Sequence, residues 1–207
     1  MTYQKLAPYI YNCQSCPTRC DGKSKKEYRF QKDVAFSEHY ENLVIRHINE
    51  FTDFNAKKCE ENGFPDIEIT KTNGETNFYI EIKVQQRTFM SVKKYLPAAN
   101  LAPSETIALN LSDLKRYFSI QKQTQKTVYI MWVLCNRLCI VPQQEVCFFY
   151  QNVEKLEVIY QNYLNKRRFR RKSGKGDIVN GEHKGVVVNY HFSLNELKEW
   201  NLPNKKN

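Results

Sequence analysis

Residues 65–85 read PDIEITKTNGETNFYIEIKVQ, and this stretch decides the fold of the chain. Apolar and polar residues alternate on both sides of Asn73-Gly74, which is the pattern of two half-buried strands. Asn-Gly strongly favours a two-residue hairpin turn, because both residue types tolerate a positive φ. The sequence therefore predicts an antiparallel β-hairpin in which Thr72 faces Glu75.

The predicted turn also sets the pairing further along the hairpin. Counting back along both strands places Asp66 opposite Glu81, and Lys83 on the same face as both carboxylates. Like charges directly opposite one another are destabilising, so the two carboxylates require a cation between them. The isoleucines of the hairpin share the other face: Ile67, Ile69, Ile80 and Ile82. One face is expected to be core and the other to carry chemistry.

Two adjacent carboxylates beside a lysine suit metal-assisted hydrolysis of a phosphodiester. Carboxylate oxygens are typical ligands of Mg²⁺ and Mn²⁺, which take further ligands from water and phosphate. Lys83 would stabilise the oxyanion or orient the attacking water. Gln85 continues the same face and could contact the scissile phosphate or a base, or could be an ordinary polar residue at a strand end. The alternative interpretation of the whole set is a solvated strand face.

The pattern Pro-Asp at residues 65–66 followed by Glu-Ile-Lys at residues 81–83 resembles the motif of the PD-(D/E)XK nuclease superfamily. The resemblance covers residues 37–85 and, more loosely, residues 110–141. It implies an α/β fold with a restriction endonuclease-like core, in which helices flank a central mixed β-sheet. It also implies an enzyme that hydrolyses DNA.

The resemblance assigns roles to individual residues of this sequence. It makes Asp66 and Glu81 metal ligands and Lys83 the catalytic lysine. The superfamily often has a further acidic residue on a preceding helix, and here Glu41 or Glu38 would supply it. These two acids lie three residues apart on one helical face, so either could instead be a charge that stabilises the helix N-terminus.

Patterns outside the hairpin predict the rest of an α/β domain. Helical spacing of apolar residues predicts helices at residues 34–62, 112–120 and 152–165. Strand patterns occur at residues 127–134, 138–141 and 185–192, and the first of these is apolar enough to be buried on both faces. Ser37 and Ser112 are expected helix caps, and Ser193 with Glu196 forms a capping box.

Three cysteines lie close together near the N-terminus: Cys13, Cys16 and Cys20. Their spacing in a polar segment predicts a metal site, with Cys59 as the expected fourth ligand and His39 or His47 as alternatives. Zn²⁺ is the expected metal, and [4Fe-4S] is the second choice because some relatives in the superfamily carry such a cluster. Surface thiols without a metal are the third interpretation. The other cysteines are expected to be small core residues: Cys135, Cys139 and Cys147.

Residues 166–176 read KRRFRRKSGKG and contain no acid. Such a segment is typical of a solvated loop that contacts nucleic-acid phosphates. Its cations are Lys166, Arg167, Arg168, Arg170, Arg171, Lys172 and Lys175. A second basic run occupies residues 23–32. Across the chain 32 Lys and Arg outnumber 22 Asp and Glu, which gives a net charge of +10 and predicts a polyanionic partner.

The length of 207 residues and the 41% of hydrophobic residues indicate one packed domain with a small addition. We expect a Cys-rich basic element at residues 1–33 and a nuclease domain at residues 34–207. No stretch approaches the roughly 18 apolar residues of a membrane helix, and no signal-peptide core follows Met1. These features predict a soluble cytoplasmic protein whose cysteines remain reduced.

Together, the sequence predicts an endonuclease that cuts double-stranded DNA with Mg²⁺ or Mn²⁺, of the site-specific restriction or homing type. A Holliday-junction or branched-DNA resolvase is the second choice within the same superfamily. A non-catalytic DNA-binding protein on the nuclease fold and an RNA nuclease are the alternatives from other classes. Because one active site cuts one strand, double-strand cleavage predicts a homodimer or a higher oligomer.

Overall fold

A computed structural model describes residues 3–16, 30–61, 63–85, 88–135, 137–141, 146–170, 178–179, 182–183 and 188–200. Its helices are α1 (Phe30–Phe51), α2 (Val92–Tyr95), α3 (Leu111–Thr124) and α4 (Val153–Tyr163). Its strands are β1 (Lys5–Ala7), β2 (Ile10–Tyr11), β3 (Asn55–Lys58), β4 (Ile67–Thr70), β5 (Thr76–Gln85), β6 (Thr106–Asn110), β7 (Thr127–Leu134), β8 (Cys147–Asn152), β9 (Arg168–Arg170), β10 (Ile178–Val179), β11 (Glu182–His183), β12 (Val188–Ser193) and β13 (Lys198–Trp200). Short 3-10 helices cover Pro97–Ala99, Leu164–Arg167 and Leu194–Glu196.

A six-stranded mixed sheet forms the centre of the molecule, in the order β13-β8-β7-β5-β4-β3. β5 and β7 pair in parallel, and the remaining neighbours pair antiparallel. A parallel pair requires a crossover connection, and here the chain between the two strands includes α3. The predicted central mixed sheet with flanking helices is confirmed. β7 is also confirmed as a strand buried on both faces.

The β4–β5 hairpin has the predicted register. Ile67 pairs with Ile80 and Ile69 pairs with Phe78, as the sequence predicts. Nearer the turn, Thr70 pairs with Thr76 across an irregularity in the ladder. The irregularity leaves one extra residue on β5, as in a β-bulge.

The turn of this hairpin differs from the prediction. The Gly74 N–H donates to the Lys71 carbonyl at 2.9 Å, and the Lys71 N–H donates to the Glu75 carbonyl at 3.0 Å. The loop therefore has three residues, with Gly74 at φ +82° in the position that favours glycine. The predicted pairing of Thr72 with Glu75 is wrong. The longer loop shifts the pairing by one residue, and the bulge shifts it back.

Both faces of the central sheet are packed. The isoleucine face is core as predicted: α1 lies on it, and Val44 and Ile48 pack with Ile67 and Ile80. The opposite face, which carries the predicted chemistry, is covered as well. There α3 and α4 pack on β7, and Trp132 is fully buried. The predicted catalytic residues therefore lie between the sheet and α3.

A second sheet of three strands, in the order β6-β12-β9, lies against the C-terminal end of β5. Gln85 joins the two sheets: its Oε1 accepts from the Ala108 N–H at 3.0 Å, and its Nε2 donates to the Thr106 carbonyl at 3.3 Å. The Trp132 indole N–H donates to the Ala108 carbonyl at 3.1 Å. The sequence did not predict this sheet, because β6 and β9 are short and carry little alternation.

Two predicted helix caps are wrong, and α1 ends earlier than predicted. α1 begins at Phe30, so Ser37 lies inside the helix rather than at its cap, and it ends at Phe51 before β3. α3 begins at Leu111 and its N-cap position is Asn110, which places Ser112 in the first turn. α4 and the capping box of Ser193 with Glu196 are confirmed. No helix in the described ranges is long and apolar enough to cross a membrane.

The predicted strand at residues 138–141 is a turn instead. The Ile140 and Val141 N–H groups donate to the Arg137 carbonyl at 2.8 and 2.7 Å. Arg137 is 1% exposed and donates to the carbonyls of Ser104 and Thr106, which holds the turn beneath β6. The strand of this region is β8, which begins at Cys147.

The described part of the N-terminal element, residues 3–16, packs on the domain. The Tyr9 and Phe149 rings pack in a T-shaped arrangement with centroids 5.3 Å apart. The Tyr11 N–H donates to Ser104 Oγ at 2.9 Å. The predicted domain boundary after residue 33 falls inside α1. The division of the chain into two domains stays a prediction.

Candidate active site

Asp66 and Glu81 come together at the start of the hairpin. Asp66 lies one residue before β4, and its Oδ2 accepts from the Ile82 N–H of β5 at 2.7 Å. Glu81 is 4% exposed. The backbone hydrogen bond occupies one Asp66 oxygen and directs the carboxylate toward β5, so that the two carboxylates lie beside one another.

Lys83 is the cation nearest to this pair among the described residues. Its Nζ forms a close ion pair with Glu81 Oε1 and lies 3.8 Å from Asp113 Oδ2. Asp113 is in the first turn of α3, so α3 adds a third carboxylate to the two of the hairpin. We call Asp66, Glu81, Lys83 and Asp113 the carboxylate cluster.

Two further side chains of α3 border the carboxylate cluster. The Tyr117 hydroxyl hydrogen-bonds with Glu81, and burial together with the Glu81 charge raises the pKa of Tyr117. The phenol therefore stays protonated and donates to the carboxylate. Arg116 Nη2 donates to Tyr117 Oη at 3.1 Å and lies 3.2 Å from Asp113 Oδ1.

The contribution of α3 to the site is not evident from the sequence. Asp113 and Tyr117 are four residues apart, which puts them on one face of a helix. This spacing is visible in the sequence, but nothing local to α3 indicates that the face meets the hairpin.

The carboxylate cluster holds more negative charge than its lysine can balance. Burial and the neighbouring Glu81 charge raise the pKa of Asp66 to about 7, and Glu41 adds to the rise. The Ile82 N–H and Lys83 oppose the rise without cancelling it. Burial alone would lower the pKa of Lys83, but Glu81, with Asp113 and Asp66, raises it above its ordinary value. Lys83 is thus a protonated donor in this site.

The structure separates the two candidate acids of the preceding helix. Glu41 lies close enough to raise the pKa of Asp66, and it forms an ion pair with Lys58 at 3.2 Å. Glu38 is exposed. The position of Glu41 therefore suits the role of helix acid better than the position of Glu38.

Two other polar residues of the hairpin stand apart from the carboxylate cluster. Glu68 pairs with Lys57 at 3.1 Å and accepts from the Thr76 hydroxyl, at the edge of the sheet. The Gln85 amide uses its donor and its acceptor to bridge to β6. We therefore leave Gln85 out of the catalytic group, and its predicted contact with the scissile phosphate stays a prediction.

Asp66 and Glu81 are the hard oxygen donors that this site offers to Mg²⁺ or Mn²⁺. Among the described residues no group of three or more His, Cys, Asp or Glu side chains is arranged to hold a metal ion. Mg²⁺ commonly needs only one or two protein carboxylates, because waters and substrate phosphates supply the other ligands. Asp66 and Glu81 provide hard oxygen donors with a surplus of negative charge, so they fit a divalent cation of this kind.

The predicted thiol site receives less support. Cys20 lies outside the described residues, and the six cysteines within them form no disulfide with one another. Cys13 belongs to the segment that packs beside β8, whereas Cys59 follows the opposite edge strand β3. This separation argues against Cys59 as the fourth ligand. Cys135 is buried in the core as predicted.

In the described part of the basic segment, some cations are exposed and one is buried. Lys166, Arg168 and Arg170 are exposed, as expected for contacts with phosphates. Arg167 is 3% exposed: it donates to both Glu196 oxygens at 2.8 and 2.7 Å and lies 3.6 Å over the Tyr163 ring. Burial of its guanidinium against Glu196 argues against the predicted DNA-binding role of Arg167. Arg171, Lys172 and Lys175 lie outside the described residues.

Comparison with known proteins gives little further information. No family model matches the chain, and no curated protein matches it. Among solved structures the chain is similar to Hjc, a Holliday junction resolvase from the archaeal hyperthermophile Archaeoglobus fulgidus. The TM-score is 0.40 and the identity 13%, over 78% of this chain and 86% of that chain. At these values we draw no conclusion about activity from the likeness.

Proposed function

We propose that this protein is a nuclease that hydrolyses phosphodiester bonds of DNA with the help of Mg²⁺ or Mn²⁺. The observation that supports the proposal is the meeting of Asp66, Glu81 and Lys83 under the N-terminal turn of α3. Their resemblance to the PD-(D/E)XK motif and the basic surface of the chain agree with it. Groups whose pKa values are shifted by burial and by specific neighbours are enriched at catalytic sites.

Each residue of the carboxylate cluster has a distinct part in this proposal. When bound, the divalent cation supplies Lewis-acid stabilisation of the charge on the phosphodiester. Asp66 offers the cation the oxygen that Ile82 does not use, and Tyr117 orients the Glu81 carboxylate. Lys83, protonated at neutral pH, donates a hydrogen bond to the oxyanion that develops as the bond breaks.

The class of nuclease rests on features outside the carboxylate cluster. We favour a site-specific endonuclease of the restriction or homing type, because the basic segment and the N-terminal element could read DNA sequence. The second candidate is a branched-DNA resolvase, and the position of Glu41 beside Asp66 is the observation in its favour. Either enzyme would act as a dimer to cut two strands.

A non-catalytic DNA-binding protein fits the carboxylate cluster poorly. Negative charge beside DNA weakens binding through repulsion, and a buried carboxylate without a full counter-charge destabilises the fold. A surface used only for binding gains nothing from Asp66 and Glu81. A catalytic site uses them to hold a cation.

The proposal is tested by cleavage of supercoiled plasmid with Mg²⁺ or Mn²⁺. We expect wild type to nick or linearise the plasmid and Asp66→Asn to do so at least about 100-fold more slowly. Glu68→Gln is the matched control, because it removes an acid of the same hairpin outside the carboxylate cluster and should cut like wild type. Melting temperatures establish that the variants are folded. Equal cleavage by Asp66→Asn, or no cleavage by wild type of any DNA, would overturn the proposal.

The substrate class follows from cleavage of a long DNA of known sequence and of a four-way junction. Discrete fragments support the site-specific enzyme, and a preference for the junction supports the resolvase. A smear contradicts both. Competition with RNA of the same sequence distinguishes a ribonuclease. Sedimentation of the protein bound to a DNA duplex that contains the cleavage site tests the predicted dimer.

A further inference from the structure

A cavity of about 420 Å³ begins at Lys83 and Asp113 and continues along the second sheet. Its volume lies within the range of small-ligand sites. The carboxylate cluster forms only one end of it. The remainder of the cavity has no role in the hydrolysis proposed above.

One row of the second sheet faces this cavity. Asn110, Asn189 and Phe169 lie directly opposite one another across β6, β12 and β9. Directly opposed residues share a face of a sheet. The next pair along the ladder, Leu109 with Tyr190, is buried in the core, and of these two only Leu109 also borders the cavity. All three members of the row therefore line the cavity.

The row combines hydrogen-bonding groups with an aromatic surface. Each asparagine amide presents a donor and an acceptor side by side. Asn110 stands at the N-cap of α3, but its side chain makes no cap hydrogen bond with the helix. Phe169 lies against Phe89 with ring centroids 5.1 Å apart, and Phe89 stacks on His191 at 4.8 Å.

Beyond the carboxylate cluster, the described lining residues carry no charge. His191 is 2% exposed, and burial lowers its pKa to about 4, so the ring is neutral at physiological pH. Its Nδ1 lies 3.2 Å from the Arg167 carbonyl and therefore carries the ring proton. An uncharged lining with amides and aromatic rings suits a flat, neutral, hydrogen-bonding group. It does not suit a second phosphate.

We infer that this cavity receives one unstacked nucleobase of the DNA substrate while the neighbouring phosphate lies at Lys83. Asn110 and Asn189 hydrogen-bond to the edge of the base, and the Phe169 ring contacts its face. Asparagine amides are suited to base edges, and aromatic rings to base faces. The inference rests on the proposed nuclease function and specifies its substrate: DNA in which one nucleotide next to the cleaved bond has left the stack.

The test compares binding to two DNA duplexes that differ only in whether an unpaired nucleotide carries a base. Duplexes carry a single-nucleotide bulge at each position within two nucleotides of the mapped cut, either with a base or as an abasic residue. Binding is measured by fluorescence anisotropy in EDTA, so that no metal-dependent cleavage takes place. At one position we expect wild type to bind the base-containing bulge about tenfold more tightly than the abasic bulge.

Substitutions in the row of Asn110, Asn189 and Phe169 test whether these residues produce the preference for the base-containing bulge. Asn189→Ala and Phe169→Leu should reduce the ratio of the two affinities toward one, and Asn110→Ser tests the other amide while keeping a capping residue. Asn162→Ala, on the exposed surface of α4, is the matched control and should keep the wild-type ratio. Melting temperatures verify that each variant is folded.

The inference is overturned if wild type shows equal affinities at every bulge position, or if folded Asn189→Ala and Phe169→Leu keep the full ratio. Its failure is distinct from failure of the proposed function, because binding in EDTA and cleavage with Mg²⁺ are separate measurements. If wild type cuts no DNA, the same bulge is placed at the centre of an arbitrary duplex. A ratio of one there also overturns the base site, and a tenfold ratio supports it.

Discussion

The carboxylate cluster differs from a second buried group of charges at the ends of β12. We call this second group the β12 cluster, and it consists of Glu105, Arg167, Ser193 and Glu196. Its single cation, Arg167, pairs with Glu196, and its second carboxylate, Glu105, is held by hydrogen bonds from uncharged donors. Arg167 donates to both Glu196 oxygens, and Glu105 accepts from the Ala102 N–H at 2.8 Å and from the Ser193 hydroxyl. In the carboxylate cluster Lys83 lies between Glu81 and Asp113, and Arg116 pairs with Asp113, but Asp66 forms no ion pair with any described residue.

The difference shows what distinguishes a candidate site from structural polarity. Both groups are buried and both join distant parts of the chain. In the β12 cluster hydrogen bonds satisfy both carboxylates and hold the second sheet in place, although Arg167 Nε has no partner among the described residues. In the carboxylate cluster the pKa of Asp66 rises to about 7, because burial and the Glu81 charge outweigh the Ile82 N–H and Lys83. The unmatched negative charge is what a substrate-bound cation can balance.

The largest expected effect is on stability in the β12 cluster. Arg167→Met removes the cation from the partly buried Glu196 carboxylate, which should lower the free energy of unfolding by about 3 kcal/mol. Urea denaturation measures this loss. Arg168→Met, at the exposed neighbouring position, is the control and should leave the urea midpoint unchanged. If both variants unfold at the wild-type midpoint, the Arg167 pair is not structural.

In the carboxylate cluster the corresponding effect is on the rate. Lys83→Met should slow plasmid cleavage about 100- to 1,000-fold, because it removes a donor to the developing oxyanion. The apparent affinity for DNA should change much less, since the proposed phosphate contacts lie on the exposed cations of the basic segment. Lys57→Met, on the edge strand β3, is the matched control. Wild-type rates in folded Lys83→Met would remove Lys83 from the mechanism.

The two clusters also predict opposite responses to pH. The pKa of His191, beside the β12 cluster, is about 4 in the folded protein against 6.5 ordinarily. Its contribution to stability is complete above pH 6.5 and declines as the pH falls, by about 3 kcal/mol at pH 4. The raised pKa of Asp66 acts the other way, so that stability falls as the pH rises toward 7.

Comparison with His191→Gln isolates the histidine contribution. The difference between wild type and this variant in urea midpoint should shrink as the pH falls from 6.5 to 4, because the variant has no ring to protonate. A difference that stays constant over this range would contradict a neutral buried His191. In the same way, Asp66→Asn should remove the decline in stability that wild type shows as the pH rises toward 7.

The smallest effect is expected from an ion pair outside both clusters. Lys122 and Glu157 pair at 2.6 Å between α3 and α4, but the lysine side chain is 66% exposed. Lys122→Ala should therefore change the free energy of unfolding by less than about 1 kcal/mol. A larger loss in urea denaturation would show that exposed pairs matter in this protein as much as buried ones.

The hairpin shows how far sequence reasoning reached. Alternation identified β4 and β5, and the assumed turn placed Asp66 beside Glu81. The turn itself was wrong by one residue, and the bulge after Ile69 corrected the register. The two deviations cancel because a one-residue slip would have turned the isoleucines away from α1, and burial of that face enforces the pairing.

The basic segment shows where sequence reasoning failed. Arg167 and Arg168 are adjacent cations that no local pattern distinguishes, yet one is buried on Glu196 and the other is exposed. Glu196 belongs to a 3-10 helix that follows β12. Only the packing of that helix against the segment gives Arg167 its partner.

The sequence by itself determined the elements whose signals are local: the paired strands of the hairpin, the doubly buried β7, α4, and the grouping of Asp66, Glu81 and Lys83 on one face. Tertiary structure decided that α3 brings Asp113 and Tyr117 to that face. It also decided that β6, β12 and β9 align Asn110, Asn189 and Phe169 along one cavity. The physical reason is that strand periodicity arises within a few residues, whereas these meetings depend on the packing of distant segments.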